Sequence, residues 1–174
     1  MQPDVAIALI RAGVDPDTSN QHWADLGAGT GTFTRALSSL TGPGSTIYAV
    51  DRQAHALQTA TLDQATVIFL QNDFMEDELM LDPLHGVLMA NSLHFVHDKV
   101  SMLKKVKRML RAEGRLILVE YDMTRGNRWV PYPIAFADLG ALAEKSGFGS
   151  VQKLAEQPSQ YQRGNLYSAL LRYP

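Results

Sequence analysis

The chain has 174 residues, 45% of them apolar and 20% charged, with a formal net charge of −2 at pH 7 and no cysteine. That length suits one domain over residues 1–174, and the near-neutral balance gives no general attraction to nucleic acid or an anionic membrane surface. The missing cysteines exclude disulfides, thiolate metal sites and any cysteine nucleophile.

The elements alternate along the chain. The opening "MQPDVAIALIRAG" carries Asp4 and no basic start, so it reads as a helix ended by Gly13 rather than as a signal peptide. No run approaches the roughly 20 apolar residues of a membrane span, so no membrane partner and a cytoplasmic setting are expected. "HWADL" is a short buried strand, followed by three alternate glycines and a helix over Phe33 to Leu40. "GPGS" at 42 to 45 is a turn, and "TIYAVD" is a β-branched strand that ends on Asp51. A helix is expected over residues 52 to 61, a strand at "TVIFLQND" and an acidic connector at "MEDELMLDPLHG". "GVLMANSLHFV" begins as a strand and loses strand character at Asn91. Asp98 then caps a helix through "KVSMLKKVKRMLRAEG", which Gly114 ends. "RLILVEY" is a strand; a helix over Pro133 to Ser146 and two strands at "SVQKLAE" and "LYSALLRY" complete the chain.

This alternation predicts an α/β fold with a Rossmann-like, seven-stranded, mostly parallel sheet and helices on both faces. The last two strands are joined by the short "QPSQYQRGN", too short for a crossover helix, so one antiparallel edge strand is expected.

In such a sheet, ligands sit beyond the carboxyl ends of the strands. The residues that fall there are Asp25 with Gly27, Gly29 and Gly31, then Asp51, then Asp73, then Asn91, Ser92 and His94. Asp51 follows Gly27 by 24 positions, the station from which a carboxylate accepts hydrogen bonds from a ribose hydroxyl pair. The glycines read D-x-G-x-G-x-G, not the G-x-G-x-x-G of dinucleotide sites, and no Gly-Lys-Ser/Thr of a phosphate loop follows. A carboxylate at Asp25 repels a pyrophosphate and suits a ligand with a cationic amino or sulfonium group.

With "IYAVDR", "LQNDF" and "LMANSLHFV", the stretch "WADLGAGTGTFTRAL" resembles the class I S-adenosylmethionine-dependent methyltransferases, within them the type 11-like, small-molecule group. The resemblance runs from about residue 20 to the end. It implies S-adenosylmethionine as cofactor, S-adenosylhomocysteine as product and a small-molecule acceptor. Gly27, Ala28, Gly29, Thr30 and Gly31 would let the backbone approach the methionine and ribose. Asp51 would hold both ribose hydroxyls with Arg52 beside the adenine; Asp73 would accept from the adenine amino group with Phe74 next to the ring. Asn91 and Ser92 would line the methionine end. Members often carry an acidic residue where this chain has His85, at the far end of its strand from the site.

Methyl transfer from a sulfonium needs a base only where the acceptor must lose a proton. His94 is the candidate, with His97 and Tyr121 behind it; the plainer reading packs His94 against the following helix and makes His97 a helix-start residue. An Asn/Asp-Pro-Pro-aromatic motif is missing, since the position reads "NSLH", and no acidic metal cluster is evident, so no metal is expected. The loop "YDMTRGNRWVPYP" is a plausible wall for a substrate pocket, or simply a packed connector. The basic residues of the 99–111 helix flank Val100, Leu103, Val106 and Leu110 as a solvated face does, which disfavours nucleic acid. No long amino-terminal extension precedes the first helix, so closure by a second copy, as a homodimer, or by a large partner is one expectation and an open site another. An RNA or protein acceptor and a cofactor-binding module without turnover are the alternatives; the glycine spacing disfavours a nicotinamide enzyme.

Overall fold

A computed structural model of the chain describes residues 1–15, 19–53, 60–159 and 164–173. Eight strands form one sheet: β1 (His22–Leu26), β2 (Ser45–Asp51), β3 (Ala60–Leu62), β4 (Ala65–Gln71), β5 (Leu84–Ala90), β6 (Leu110–Tyr121), β7 (Ser150–Pro158) and β8 (Asn165–Arg172). Their order is β3-β4-β2-β1-β5-β6-β8-β7. From β1 the chain builds outward through β2 to β4, then returns to β5 on the other side of β1 and builds outward again. β1, β2, β4, β5 and β6 pair in parallel, and the strand order reverses between β1 and β5.

The mostly parallel sheet read from the sequence is present, and two of its details are new. β3, three residues long, folds back antiparallel on β4. The antiparallel strand expected at the carboxyl end is β8, which pairs with both β6 and β7, so β7 is the strand that occupies the edge. The helix expected over residues 52 to 61 falls largely on residues outside the described ones, and its last two positions open β3.

Among the described residues four α-helices cover the sheet: α1 (Pro3–Ile10), α2 (Thr32–Leu40), α3 (Lys99–Met109) and α4 (Phe136–Lys145). Strand residues alternate between two cores, as a two-faced sheet requires. Ala24, Leu26, Val87, Met89, Leu116 and Leu118 pack with Leu103 and Val106 of α3 and Leu139 and Ala143 of α4. Trp23, Ile47, Leu88, Ile117 and Val119 pack with Leu9 and Ile10 of α1 and Phe33 and Leu37 of α2.

Asp98 caps α3 as expected, its Oδ1 accepting from the Ser101 N–H at 3.0 Å. The helix does not run on to Gly114. It stops at Met109, and Leu110, 7% exposed, already pairs with Leu84 of β5. Burying that leucine at the sheet outweighs the helical period of the charged "RAEG", and the irregular register there takes up the slack, with Glu113 at φ +63°. Among the described residues no helix is long and apolar enough to cross a membrane.

Candidate functional site

The site lies at the carboxyl ends of β1, β2, β4 and β5. The turn after β1 is tied to β2 by the N–H groups of Gly27 and Ala28, which both donate to the Val50 carbonyl at 2.8 and 3.0 Å. Asp51 braces the next step: its Oδ2 accepts from the Gly29 N–H at 2.8 Å and its Oδ1 from the Gln53 N–H at 2.9 Å. Gly27 holds φ +86°, and a Cβ there would lie 2.6 Å from the Ser92 Cβ. Gly29 is different. At φ +52° it has nothing within 4 Å of where a Cβ would stand. One glycine is required by protein packed against it, the other faces open space above the turn.

Two cavities meet over this turn, sharing Gly27, Gly29 and Asn91. The larger, about 460 Å³, is lined by Asp51, Arg52, Asp73, Phe74, Asn91 and Ser92 among the residues singled out in the sequence, and by Gln53, Met75 and Phe95, which were not. The second, about 300 Å³, takes in Asp25, Ala28 and Thr30, and adds Thr32, Phe33, Ala90 and Tyr121. Gly31 lines neither; at φ +82° it is the N-cap of α2, whose amino end has no side-chain cap.

Asp25 is 1% exposed. Its Oδ2 accepts from the Thr34 hydroxyl at 2.6 Å, and its Oδ1 is buried without a partner. Burial raises the carboxyl to about 7; the Thr34 hydrogen bond works against this and the neighbouring Asp51 carboxylate adds to it. Asn91 Oδ1 and Ser92 Oγ are also buried and unpartnered. Asn91 keeps φ +54°, an uncommon setting for a side-chain-bearing residue. Buried polar atoms without partners each cost about 1–3 kcal/mol, and three of the four such atoms among the described residues belong to residues that line the adjoining cavities. Thr34 was not legible as a site residue, because it belongs to the buried face of α2.

The loop after β4 is self-braced. Asp73 Oδ1 accepts from the Met75 N–H at 3.0 Å, and Asp77 Oδ2 accepts from the Asp73 N–H at 3.1 Å. Lys105 of α3 reaches across to it, its ammonium donating to the carbonyls of Phe74 at 3.0 Å and Asp77 at 2.5 Å. This lysine, read from sequence as part of a solvated basic face, instead holds the loop that carries Asp73 and Phe74.

His94 itself lines neither cavity, but Phe95 and Tyr121, which pack on its ring, line one each. In a short helical turn after β5 His94 is 3% exposed, with Nδ1 2.6 Å from Glu120 Oε2, while its backbone N–H donates to Glu120 Oε1 at 3.2 Å. Its ring packs against Phe95 and Tyr121, with centroids 4.4 and 5.8 Å away. Glu120 was missed, although a carboxylate inside the apolar run "RLILVEY" is the same kind of signal that drew attention to Asp25. His97 is exposed and meets Tyr132 edge-on at 5.0 Å. His85 lies at the opposite end of the sheet, where its Nδ1 accepts from the His22 N–H at 3.0 Å.

Acceptor oxygens along one wall, half-buried glycine backbone along another and a carboxylate at each of three strand ends fit a ligand rich in donors and cationic groups. S-Adenosylmethionine is one, with its ammonium, sulfonium, ribose hydroxyls and adenine amino group. A family model described as a methyltransferase domain matches residues 17–165. No curated protein matches the chain. Among solved structures, Burkholderia thailandensis 1,6-didemethyltoxoflavin-N1-methyltransferase, with 1,6-didemethyltoxoflavin and S-adenosylhomocysteine bound, superposes with a TM-score of 0.74 at 19% identity, over 98% of this chain and 77% of that one. Haemonchus contortus phosphoethanolamine N-methyltransferase 2, with phosphomonomethylethanolamine and S-adenosylhomocysteine, gives 0.74 at 13% identity, over 98% of this chain and 52% of that one. An S-adenosylmethionine-dependent methyltransferase from Aquifex aeolicus gives 0.65 at 15% identity and covers both chains fully. At these identities the likeness is one of fold, and the chain spans only about half of the Haemonchus enzyme.

Proposed function

The chain belongs to the class I S-adenosylmethionine-dependent methyltransferases, and from that premise we propose that it methylates a small-molecule acceptor, with the cofactor held along the glycine turn. The observation that carries the placement is the set of unpartnered buried oxygens of Asp25, Asn91 and Ser92 beside that turn, continuous with Asp51 and Asp73. When bound, the cofactor supplies an activated methyl group on a sulfonium.

The protein's part is to bind, orient and exclude water. Asp25 supplies an acceptor for the ammonium, and the amide-rich amino end of α2 suits the carboxylate. Asp51 offers the ribose hydroxyls its lone pairs while it keeps the Gly29 amide, and Asp73 with Phe74 forms the adenine end. Where the acceptor is a hydroxyl, its proton must go to a base. Glu120 supports His94 in this role: by accepting at Nδ1 it directs the lone pair of a neutral ring to Nε2, which makes no hydrogen bond among the described residues. Small acceptors are supported by the toxoflavin precursor and phosphomonomethylethanolamine bound in two structural neighbours.

Calorimetric titration with S-adenosylmethionine, S-adenosylhomocysteine and NAD tests the reading. Both sulfur cofactors should bind and NAD should not; preference for NAD would overturn it. Asp51→Ala should weaken cofactor binding by about 1–3 kcal/mol, because the ribose hydroxyls lose their acceptor.

A further inference from the structure

The loop between β6 and α4 carries chemistry that cofactor binding does not use. It is tightly built. Asn127 Oδ1 accepts from the N–H groups of Trp129 and Val130 at 2.8 and 2.9 Å, and the Asn127 N–H donates to the Val130 carbonyl at 3.0 Å. Gly126 packs so closely that a Cβ there would lie 2.3 Å from the Pro131 carbonyl oxygen. Val130 is buried, and the Tyr132 N–H donates to the His94 carbonyl at 3.0 Å, which places the loop beside the proposed base.

A loop held this firmly keeps its aromatic rings in water. Trp129 is 69% exposed, Tyr132 43% and neighbouring Phe95 52%. Burying such a ring is favourable, so a turn that fixes a tryptophan outward leaves a contact to be made. Two cations lie over these rings. The Arg128 guanidinium lies 5.6 Å over the Trp129 ring and the Lys99 ammonium 5.5 Å over the Tyr132 ring. Among the described residues, neither Arg125 nor Arg128 has a hydrogen bond or ion pair. The nearby carboxylates are committed: Asp122 accepts from the Phe136 N–H and Asp98 caps α3.

We propose that this rim binds the methyl acceptor, and that the acceptor is a small planar molecule bearing a carboxylate or phosphate. The ring stacks on Trp129 and Tyr132, where every planar π-face finds a partner. The anionic group takes the free guanidinium forks of Arg125 and Arg128, whose geometry matches an oxyanion. Phe95 belongs both to this patch and to the lining of the larger cavity, so an acceptor seated here projects its reacting end toward the cofactor. The inference rests on the methyltransferase reading.

The chain has two tryptophans, and Trp23 is fully buried, so Trp129 is a selective fluorescent reporter. The experiment titrates matched pairs of hydroxybenzoates and hydroxybenzamides, and of aryl phosphates and aryl sulfonamides, into the protein saturated with S-adenosylhomocysteine. The anionic members should bind at least tenfold more tightly than their neutral partners. That preference should vanish in the Arg125→Gln/Arg128→Gln double variant, and Trp129→Phe should abolish the signal. Equal binding of acid and amide, a preference that survives the double variant, or no binding by any anion at millimolar concentration would overturn the proposal. So would tighter binding of a single-stranded oligonucleotide than of any small anion. Calorimetry with S-adenosylhomocysteine on the same samples separates the two readings. Loss of that binding in the wild type sinks the methyltransferase reading, whereas intact binding without a charge preference sinks the rim alone.

Discussion

The two sides of this site are made of different material. On the β1, β2 and β4 side the proposed working parts are main chain: N–H groups of Gly27, Ala28 and Gly29 held in place, with short carboxylates bracing the turns. On the β5 and β6 side they are long side chains that meet across the fold, such as His94 with Glu120, 26 positions apart, and the exposed Trp129 beside Arg128. A main-chain cradle has few solutions, because a tight turn allows few backbone conformations, whereas a side-chain wall has many.

That comparison can be broken experimentally, most severely at the two glycines. Gly27→Ala forces a Cβ onto Ser92 at a left-handed φ and should cost roughly 3 kcal/mol of stability, seen as a lower denaturant midpoint. Gly29→Ala meets no protein atom and should cost only about 1 kcal/mol of folding free energy. It should nevertheless abolish cofactor binding in a calorimetric titration, because its methyl group stands in ligand space. Gly29→Ala with normal affinity would remove the turn from the cofactor site.

On the other side, His94→Gln and Glu120→Gln should leave S-adenosylhomocysteine affinity intact. With a hydroxyl acceptor, turnover should fall by about 10²–10⁴-fold, the usual contribution of a general base. Unchanged turnover in both variants would reduce the pair to a clamp on the turn after β5.

Asp25 predicts a pH effect of intermediate size. Its folded-state carboxyl titrates near 7, above the ordinary value of 3.8, so the folded chain holds a proton that the unfolded chain releases between those values. The stabilising contribution is therefore full below about 4 and falls as pH rises toward 7. A cationic cofactor group beside Asp25 favours the ionised form and expels that proton. Cofactor affinity should rise with pH up to about 7, by at most tenfold per unit, and then level off. Titrations at pH 6 in buffers of different ionisation enthalpy should reveal proton release, and Asp25→Asn should remove it.

The smallest effect is expected at Lys105. Lys105→Met removes two hydrogen bonds to the loop that carries Asp73 and Phe74 and should weaken cofactor binding by about 1 kcal/mol. An analogue that lacks the adenine amino group should be less affected, since the loss falls on the loop that positions Asp73.

The parts that were legible follow this same division. Each residue proposed for the cofactor side sits at the end of an apolar run with its spacing written in the chain, so the positions of Asp25, the glycines, Asp51 and Asp73 at the strand ends were legible before any fold was known. Glu120 was visible only as a misplaced charge, and its partner was not visible at all. Lys105 was misread because one lysine in a basic helix resembles another until the loop it reaches is in place.

Local sequence determined the α/β alternation, the cap at Asp98 and the glycine turn, because period, capping and positive φ are properties of neighbouring residues. Tertiary structure alone decided where α3 ends, which strand occupies the edge, which of two glycines faces open space and which carboxylate meets His94. These depend on surfaces brought together from distant positions, where burial and pairing outweigh local preference.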